Sequence, residues 1–273
     1  MKYLAFFYET KMAYSSQVSS HYFSIKALPE TSIRQKVEEL HVTVSPMEEL
    51  FESRDAFGNR ILGGHTLEPH ADFQVVVEGK AYVNNKREQG KAGENLALYK
   101  RPTSLTEMSD EMKEYVSDSF IPDKMKQEIP DYMPYNAFGI GDYVMKKLYQ
   151  DFSYESGVTN IKTTAAQAFL GHRGVCQDYA HIMLAFLRFL GYPCRYVTGF
   201  MIGEGATHAW IEVYNEEDNL WYGLDPTNNL WIDENYIVLA RGRDYKDCIV
   251  NKGRFLGLTE ETQEITLKVE EIK

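Results

Sequence analysis

The sequence predicts an α+β protein in which an amino-terminal antiparallel β-sandwich precedes a core that packs a helix on an antiparallel sheet. Short β-branched and aromatic runs, separated by turn residues, fill the chain up to about residue 100. Helical patterns begin only beyond Arg101-Pro102, and the last of them is followed by three more strand-like runs. We therefore predict two domains, a β-sandwich at residues 1–100 and a second domain at residues 101–273.

Candidate strands make up the first domain, where no helical stripe of useful length occurs. They are Leu4–Tyr14, Gln17–Leu28, Arg34–Ser45, Phe51–Arg60, Leu62–His70 and Asp72–Val83. The segment Phe57-Gly58-Asn59-Arg60 is typical of a hairpin turn. Runs of this kind predict an antiparallel sandwich.

The second domain begins with predicted helices and one irregular connection. Ser104-Leu105-Thr106-Glu107 has the spacing of a capping box, and apolar residues follow at helical intervals, at Met108, Met112, Tyr115 and Val116. The three prolines between Phe120 and Tyr135 indicate an irregular connection. Further helices are predicted from Gly141 or Asp142 to Gln150 and from Thr164 to Leu170.

A longer helix is predicted to begin at Cys176. Its apolar stripe consists of Tyr179, Ala180, Met183, Leu184, Leu187 and Leu190. Gly191 suits a left-handed helix end, and Pro193 prevents the helix from continuing. Cys176 therefore faces the domain interior from the first helical turn. Unpaired amides and the positive end of the helix dipole favour a thiolate there, and they can also hold an oxyanion.

Three strands follow this helix, and two of them are predicted to form a hairpin. They are Arg195–Met201, His208–Tyr214 and Leu220–Asp225, the last two joined by a loop at Asn215–Asn219. If Asn215 to Asp218 form a four-residue loop, Asp225 lies directly opposite His208. If the loop is one residue longer, Asp225 is the diagonal neighbour. Side chains directly opposite have Cβ atoms about 4.5–5.5 Å apart, within reach of an Asp–imidazole hydrogen bond.

Cys176, His208 and Asp225 are therefore candidate catalytic residues. A base activates a thiol by taking its proton, and a carboxylate fixes the tautomer of that base. The alternative is a buried structural cysteine, an ordinary strand histidine and a turn aspartate. Gly174, the helix start and the hairpin pairing favour the catalytic interpretation. A zinc site formed by the same three residues is a further, weaker alternative.

Other polar and aromatic residues near these three have two interpretations each. Asp178 either accepts a hydrogen bond near the cleft or stabilises the helix start, and we predict the second. Tyr154 either lends its hydroxyl to an oxyanion or packs, and we predict packing. We expect His181 to be structural and Trp210 and Trp221 to pack in the core rather than wall the cleft.

Composition limits the possible partners. The net charge of −11 argues against a general nucleic-acid surface. The chain has no convincing signal peptide and no apolar run approaching the roughly 20 residues of a membrane span. The three cysteines form no C-x-x-C pair and fit a reducing compartment, so we expect a cytoplasmic protein with no metal and no cofactor. The oligomeric state is left open.

Four stretches resemble the transglutaminase-like superfamily of papain-type fold. They are Gly174–His181, Gly191–Gly199, Thr207–Val213 and Asp225–Thr227. Asp55–Asn59 and Glu68–His70 look like the amino-terminal β domain of bacterial members. The resemblance implies a papain-like core with Cys176 as nucleophile, His208 as general base and then acid, and Asp225 as its orienter. Cys194 departs mildly from the family pattern, where alanine is frequent.

The same resemblance implies acyl transfer on an amide bond of a peptide or protein through a thioester. Water as the acceptor gives a cysteine peptidase or amidase, which likeness to the bacterial branch favours. A lysine amine as the acceptor gives a transglutaminase. The alternative of another class is a non-catalytic module that binds peptides in the cleft or at the sheet edges.

Overall fold

The fold consists of two antiparallel sheets, one short two-stranded parallel sheet, and a group of helices that covers the second antiparallel sheet. The computed structural model describes residues 1–120, 122–129 and 135–273. The strands are β1 (Lys2–Ile25), β2 (Gln35–Ser45), β3 (Glu49–Arg54), β4 (Arg60–Thr66), β5 (His70–Val83), β6 (Ser153–Tyr154), β7 (Arg173–Gly174), β8 (Cys194–Met201), β9 (Gly203–Gly205), β10 (His208–Asn215), β11 (Leu220–Asp225), β12 (Leu230–Trp231), β13 (Tyr236–Gly242), β14 (Asn251–Leu256) and β15 (Glu261–Glu271). The helices are α1 (Leu96–Tyr99), α2 (Asp110–Ser119), α3 (Pro122–Glu128), α4 (Ala137–Asp151), α5 (Ala165–Gly171) and α6 (Cys176–Phe189).

The first sheet is organised around the long strand β1. Residues 4–14 of β1 pair with β15 on one side, and residues 2–13 pair with β5 on the other. Beyond a register irregularity after Ala13, residues 21–25 pair with β4, and Ser19 and residues 22–25 pair with β14. Alternate residues of β1 are buried, as a strand with one solvent face requires. Side chains from both halves meet in one core, where the rings of Phe23 and Phe73 are 4.9 Å apart. The predicted α+β class with an amino-terminal antiparallel β-sandwich is confirmed.

The predicted strand boundaries of this sheet differ from the structure by a few residues, and two of the differences change the connectivity. Leu4–Tyr14 and the run beginning at Gln17 form one continuous strand rather than two. The hairpin between β3 and β4 turns at Asp55–Asn59, where the Asp55 side chain accepts the amides of Phe57 and Asn59, both at 2.9 Å. Gly58 lies in the left-handed region of this turn. The predicted turn Phe57–Arg60 is therefore shifted, because the turn begins two positions earlier and Arg60 already belongs to β4.

The end of the chain returns to the first sheet. β14 and β15 both pair with β1, although residues 251–271 fall in the predicted second domain. The division at residue 100 stays a prediction. Hydrogen bonding nevertheless assigns these late strands to the amino-terminal sheet, because pairing between residues some 250 positions apart leaves no local pattern in the sequence.

The second sheet has the order β12-β11-β10-β8-β13. One face packs under α4, α5 and α6, where residues such as Val144, Met183 and Ile211 share a core. Each fully buried side chain of this size stabilises the fold by about 1.5–3 kcal/mol. Phe200 and Ile237 instead belong to the core of the first sheet. The two cores therefore meet at β8 and β13.

Helix boundaries follow from caps that the hydrophobic pattern does not reveal. α2 begins at Asp110, capped by Ser109, and not at the predicted capping box at Ser104. There, Thr103 and Thr106 form a turn that Arg188 holds by a 2.8 Å bond to the Thr106 hydroxyl. α4 begins before the predicted Gly141, because the Asn136 side chain accepts two helix amides. α5 has the predicted capping box, with Thr164 as its cap.

The predicted irregular connection at residues 120–135 contains a helix, α3, at Pro122–Glu128. Residues 121 and 130–134 of that connection lie outside the described part of the chain. Among the described residues, no helix combines the length and the apolar character needed to cross a membrane.

A short strand connects the second sheet to the first just before His208. Residues Gly203 to Gly205, in β9, pair with Leu267 to Val269 of β15. Both glycines have positive φ angles, which side-chain-bearing residues rarely adopt. The chain segment that leads into β10 is thus anchored to the amino-terminal sheet.

Candidate active site

Cys176 is the first residue of α6, as predicted. Val175 precedes the helix in an extended conformation, and its amide donates to Asp178 Oδ2 at 2.8 Å. The Thr159 hydroxyl donates to the same oxygen at 2.6 Å. A Cβ at Gly174 would lie 2.6 Å from that oxygen, so only glycine allows this close approach. Asp178 therefore has the predicted role of stabilising the helix start.

Cys176 is the accessible thiol of the chain. It is partly exposed, whereas Cys194 and Cys248 are fully buried. The thiol of Cys194 contacts the carbonyl of Leu184, and burial raises its pKa to about 11. Burial also raises the pKa of Cys248 well above its ordinary value. Both buried cysteines consequently remain protonated and shielded from reagents at neutral pH.

His208 lies between the other two candidate residues. Its Nε2 atom is 2.7 Å from Oδ2 of Asp225, and the side chain of Cys176 lies close enough to raise the pKa of the imidazole. Because Nε2 faces the carboxylate, Nδ1 is the nitrogen left for the sulfur. Burial lowers the pKa of His208, but hydrogen bonds and charge from Asp225 and Cys176 outweigh it and raise the pKa to about 10. The structure thus brings all three predicted residues together.

The register of β10 and β11 does not place Asp225 directly opposite His208. Asn215 stays in β10 and pairs with Leu220, so the loop is residues 216–219. Ile211 pairs with Leu224, which places Asp225 level with Trp210 and diagonal to His208. The prediction of direct opposition is wrong, and the diagonal alternative is correct although the loop has four residues. Asn219 ends the loop at a positive φ angle, which the residue pattern did not indicate.

Asp225 is held by donors on both oxygens. Oδ1 accepts the backbone amides of Thr227 and Asn228, at 3.0 and 3.3 Å. Oδ2 accepts His208, the side-chain amide of Asn228 at 2.8 Å and the hydroxyl of Tyr236 at 2.9 Å. Burial raises the pKa of Asp225, but these donors and the charge of His208 lower it below its ordinary value. The carboxylate is therefore ionised and fixed in orientation.

Sequence reasoning missed Tyr236 and Asn228. The turn after Asp225, with an aspartate and an asparagine three residues apart, carries a local signal for Asn228. No local signal exists for Tyr236, which lies on β13, three strands away from β11 in the sheet. Only the tertiary structure brings its hydroxyl to the carboxylate.

The remaining candidates divide into buried and exposed residues. His181 is fully buried and accepts the Tyr245 amide at 3.2 Å, and burial lowers its pKa to about 3, so it has the predicted structural role. Trp210 and Trp221 are buried core residues, as predicted. Tyr154 is 57% exposed, so the prediction of packing is wrong. Strand pairing places Tyr154 beside Gly174, two residues before Cys176.

The start of α6 also provides hydrogen-bond donors. Within the described ranges, the backbone amides of Cys176 and Gln177 have no acceptor, as expected for the first turn of a helix. Such amides can stabilise negative charge that develops next to the sulfur. A partly exposed thiol, an imidazole hydrogen-bonded to a carboxylate, and helix amides without an acceptor thus lie in one site, an arrangement that can support nucleophilic catalysis.

Comparison with known proteins matches both parts of the chain. The family model of the transglutaminase-like superfamily matches residues 123–226, which include Cys176, His208 and Asp225. The model of the bacterial transglutaminase-like N-terminal region matches residues 4–81. Uncharacterised proteins of Mycobacterium tuberculosis and Mycobacterium bovis are each 30% identical over 272 residues, covering 88% of this chain and 83% of the relative.

A solved structure has the same overall fold. It is that of a provisionally assigned cysteine protease from Cytophaga hutchinsonii, with 20% sequence identity and a TM-score of 0.77. The match covers 100% of this chain and 92% of the other. These matches agree with the structure, which has an amino-terminal antiparallel sheet, a helix that begins with cysteine and a hairpin that carries histidine and aspartate. The chain therefore belongs to the transglutaminase-like superfamily.

Proposed function

We propose that this protein hydrolyses amide bonds of peptides or proteins through a thioester on Cys176. The observation that carries the proposal is the position of the His208 imidazole, which is 2.7 Å from the ionised Asp225 and near enough to Cys176 for that side chain to raise its pKa. Such a chain of contacts lets the base accept the thiol proton while the carboxylate stabilises the resulting imidazolium.

In the first half-reaction the thiolate of Cys176 attacks the carbonyl carbon of the amide. A carbon–sulfur bond forms, and the carbonyl oxygen becomes an oxyanion that the first amides of α6 stabilise. The carbon–nitrogen bond then breaks, and the imidazolium of His208 gives its proton to the departing amine. The products are a free amine and an acyl thioester.

In the second half-reaction a nucleophile resolves the thioester. Water gives its proton to His208 and attacks the carbonyl carbon, and Cys176 leaves as thiolate with a free carboxylic acid as product. A lysine amine in place of water would form a new amide. Hydrolysis is favoured because the structural relative in Cytophaga hutchinsonii is provisionally assigned as a cysteine protease.

The test is mass spectrometry of a peptide library incubated with the protein and an excess of a primary amine. We expect shorter or deamidated peptides from the wild-type protein and unchanged peptides from Cys176→Ala. Peptides that gain the mass of the amine would instead establish a transglutaminase. Peptides that bind but stay intact would identify the protein as a non-catalytic peptide-binding module. Zinc that is present in the purified wild-type protein and absent from Cys176→Ala would establish a metal site.

A further inference from the structure

Oδ2 of Asp225 accepts hydrogen bonds from three side chains that lie on different elements. His208 reaches it from β10, the Asn228 side chain from the turn after β11, and Tyr236 from β13, at 2.7, 2.8 and 2.9 Å. The carboxylate itself is completely buried. A buried charge without such donors is costly, so each donor contributes both to ionisation and to orientation.

We propose that Tyr236 and Asn228 are positioning residues that hold Oδ2 of Asp225 towards His208. The inference rests on the proposed function, because it assigns them to the reaction that Cys176 and His208 perform. Tyr236 is 2% exposed, and its ring contacts those of Trp210 and His208, with centroids 5.4 and 6.2 Å away. This packing fixes the ring beside Asp225, where its hydroxyl donates to Oδ2.

The two residues differ in what holds them. Tyr236 is fixed by the core, whereas Asn228 is exposed and is fixed by the turn, in which its own backbone amide donates to Oδ1. Losing either donor leaves the other in place. Substitution of Asn228 therefore tests the same clamp without disturbing the core.

The charged and titratable neighbours of this site determine the sign of the effect. Two titratable side chains face Asp225: His208, which lies on β10, and Tyr236, which lies on β13. Cys176 of α6 lies beyond His208, and the charge of Asp233 also raises the pKa of Tyr236. Burial and the charge of Asp225 raise the pKa of Tyr236, so it remains a donor throughout the working range. If one donor is removed, the carboxylate of Asp225 becomes easier to protonate. It also holds His208 less firmly. Both effects weaken the imidazolium–thiolate pair first on the acid side.

The experiment measures the rate at which iodoacetamide alkylates Cys176 between pH 3 and pH 9. The other cysteines are buried and do not compete. We expect Tyr236→Phe and Asn228→Ala each to move the acid limb of the rate profile upward by about one pH unit, the effect of losing one hydrogen bond to a charged group. Tyr143→Phe is the matched control, because that buried phenol also donates to a carboxylate, Glu128 at 2.7 Å, away from the site. Its profile should equal that of the wild type.

Failure of the inference is separable from failure of the proposed function. If His208→Ala alkylates as the wild type does at every pH, the proposed function is wrong. If His208→Ala differs but Tyr236→Phe and Asn228→Ala both keep the wild-type acid limb, only the positioning role is overturned. If Tyr236→Phe does not fold, the Asn228→Ala profile alone decides, since that side chain is at the surface.

Discussion

The Nε2 atom of His208 donates a 2.7 Å hydrogen bond to Oδ2 of Asp225, a carboxylate that is completely shielded from solvent. The two residues are diagonal neighbours across β10 and β11, so the bond runs across the hairpin at an angle. It fixes which ring nitrogen faces Cys176. Replacing the carboxylate therefore changes the tautomer as well as the charge.

Asp225→Asn should lower kcat for amide hydrolysis by roughly 10³- to 10⁴-fold, because an amide does not stabilise the imidazolium or select the productive tautomer. Steady-state kinetics on a cleaved library peptide provides the measurement. Asp218→Asn, in the exposed loop before β11, is the control and should retain wild-type kcat. Asp225→Asn activity within tenfold of wild type would show that the carboxylate is not the orienter.

The charge of His208 should depend on Cys176. Since the thiolate helps to raise the pKa of His208 to about 10, Cys176→Ala should lower that pKa, as measured by NMR titration of the imidazole. In the wild type, the stabilisation that His208 provides is fully present below the unfolded pKa of 6.5 and is lost as pH rises through about 10. An unchanged titration in Cys176→Ala contradicts the contact between the two side chains.

Gly199 should not tolerate a side chain. It pairs with His208, and a Cβ there would overlap the Ile237 carbonyl and the Trp210 ring. The backbone carbonyl cannot move aside, so Gly199→Ala should lower the free energy of unfolding by about 1–3 kcal/mol in urea denaturation. Gly171→Ala is the control, since its Cβ would meet nothing closer than 3.7 Å. Equal stability of the two variants would refute the close approach.

Glu212 should stabilise the second sheet through two arginines. It is buried and contacts Arg195 at 2.6 Å and Arg241 at 2.9 Å. Burial raises the pKa of Glu212, but both guanidinium groups outweigh it and lower the pKa to about 2. Glu212→Gln leaves Arg195 and Arg241 with only their longer contacts to Glu94 and Glu88, at 3.5 and 3.6 Å, and should cost up to about 3–5 kcal/mol at pH 7.

The stability gap between wild type and Glu212→Gln should also depend on pH. It should be complete above the ordinary pKa of 4.5 and close as pH falls through about 2, because the stabilisation requires the ionised carboxylate. Chemical denaturation at several pH values measures the gap. Glu52→Gln removes the partner of Arg60 in an exposed pair and should change stability little. A gap that is constant with pH contradicts the assignment.

Local chemistry explains which parts of the structure were predictable. The cysteine-bearing helix and the hairpin are encoded by apolar periodicity and turn residues, so Cys176, His208 and Asp225 could be identified from the sequence. The pairing of β14 and β15 with β1 and the arrival of Tyr236 at Asp225 depend on tertiary contacts. The predicted hairpin register was wrong for a local reason, because Asn215 extends β10 instead of beginning the loop.

The anchoring of β9 on β15 has a consequence for how the protein matures. During translation, β15 leaves the ribosome after every residue of the active site has been made. Until residues 261–271 emerge, the glycine-containing approach to His208 has no neighbour to pair with. The sheet that carries His208 can therefore pair before the chain is finished, whereas the segment just before it gains its partner strand last.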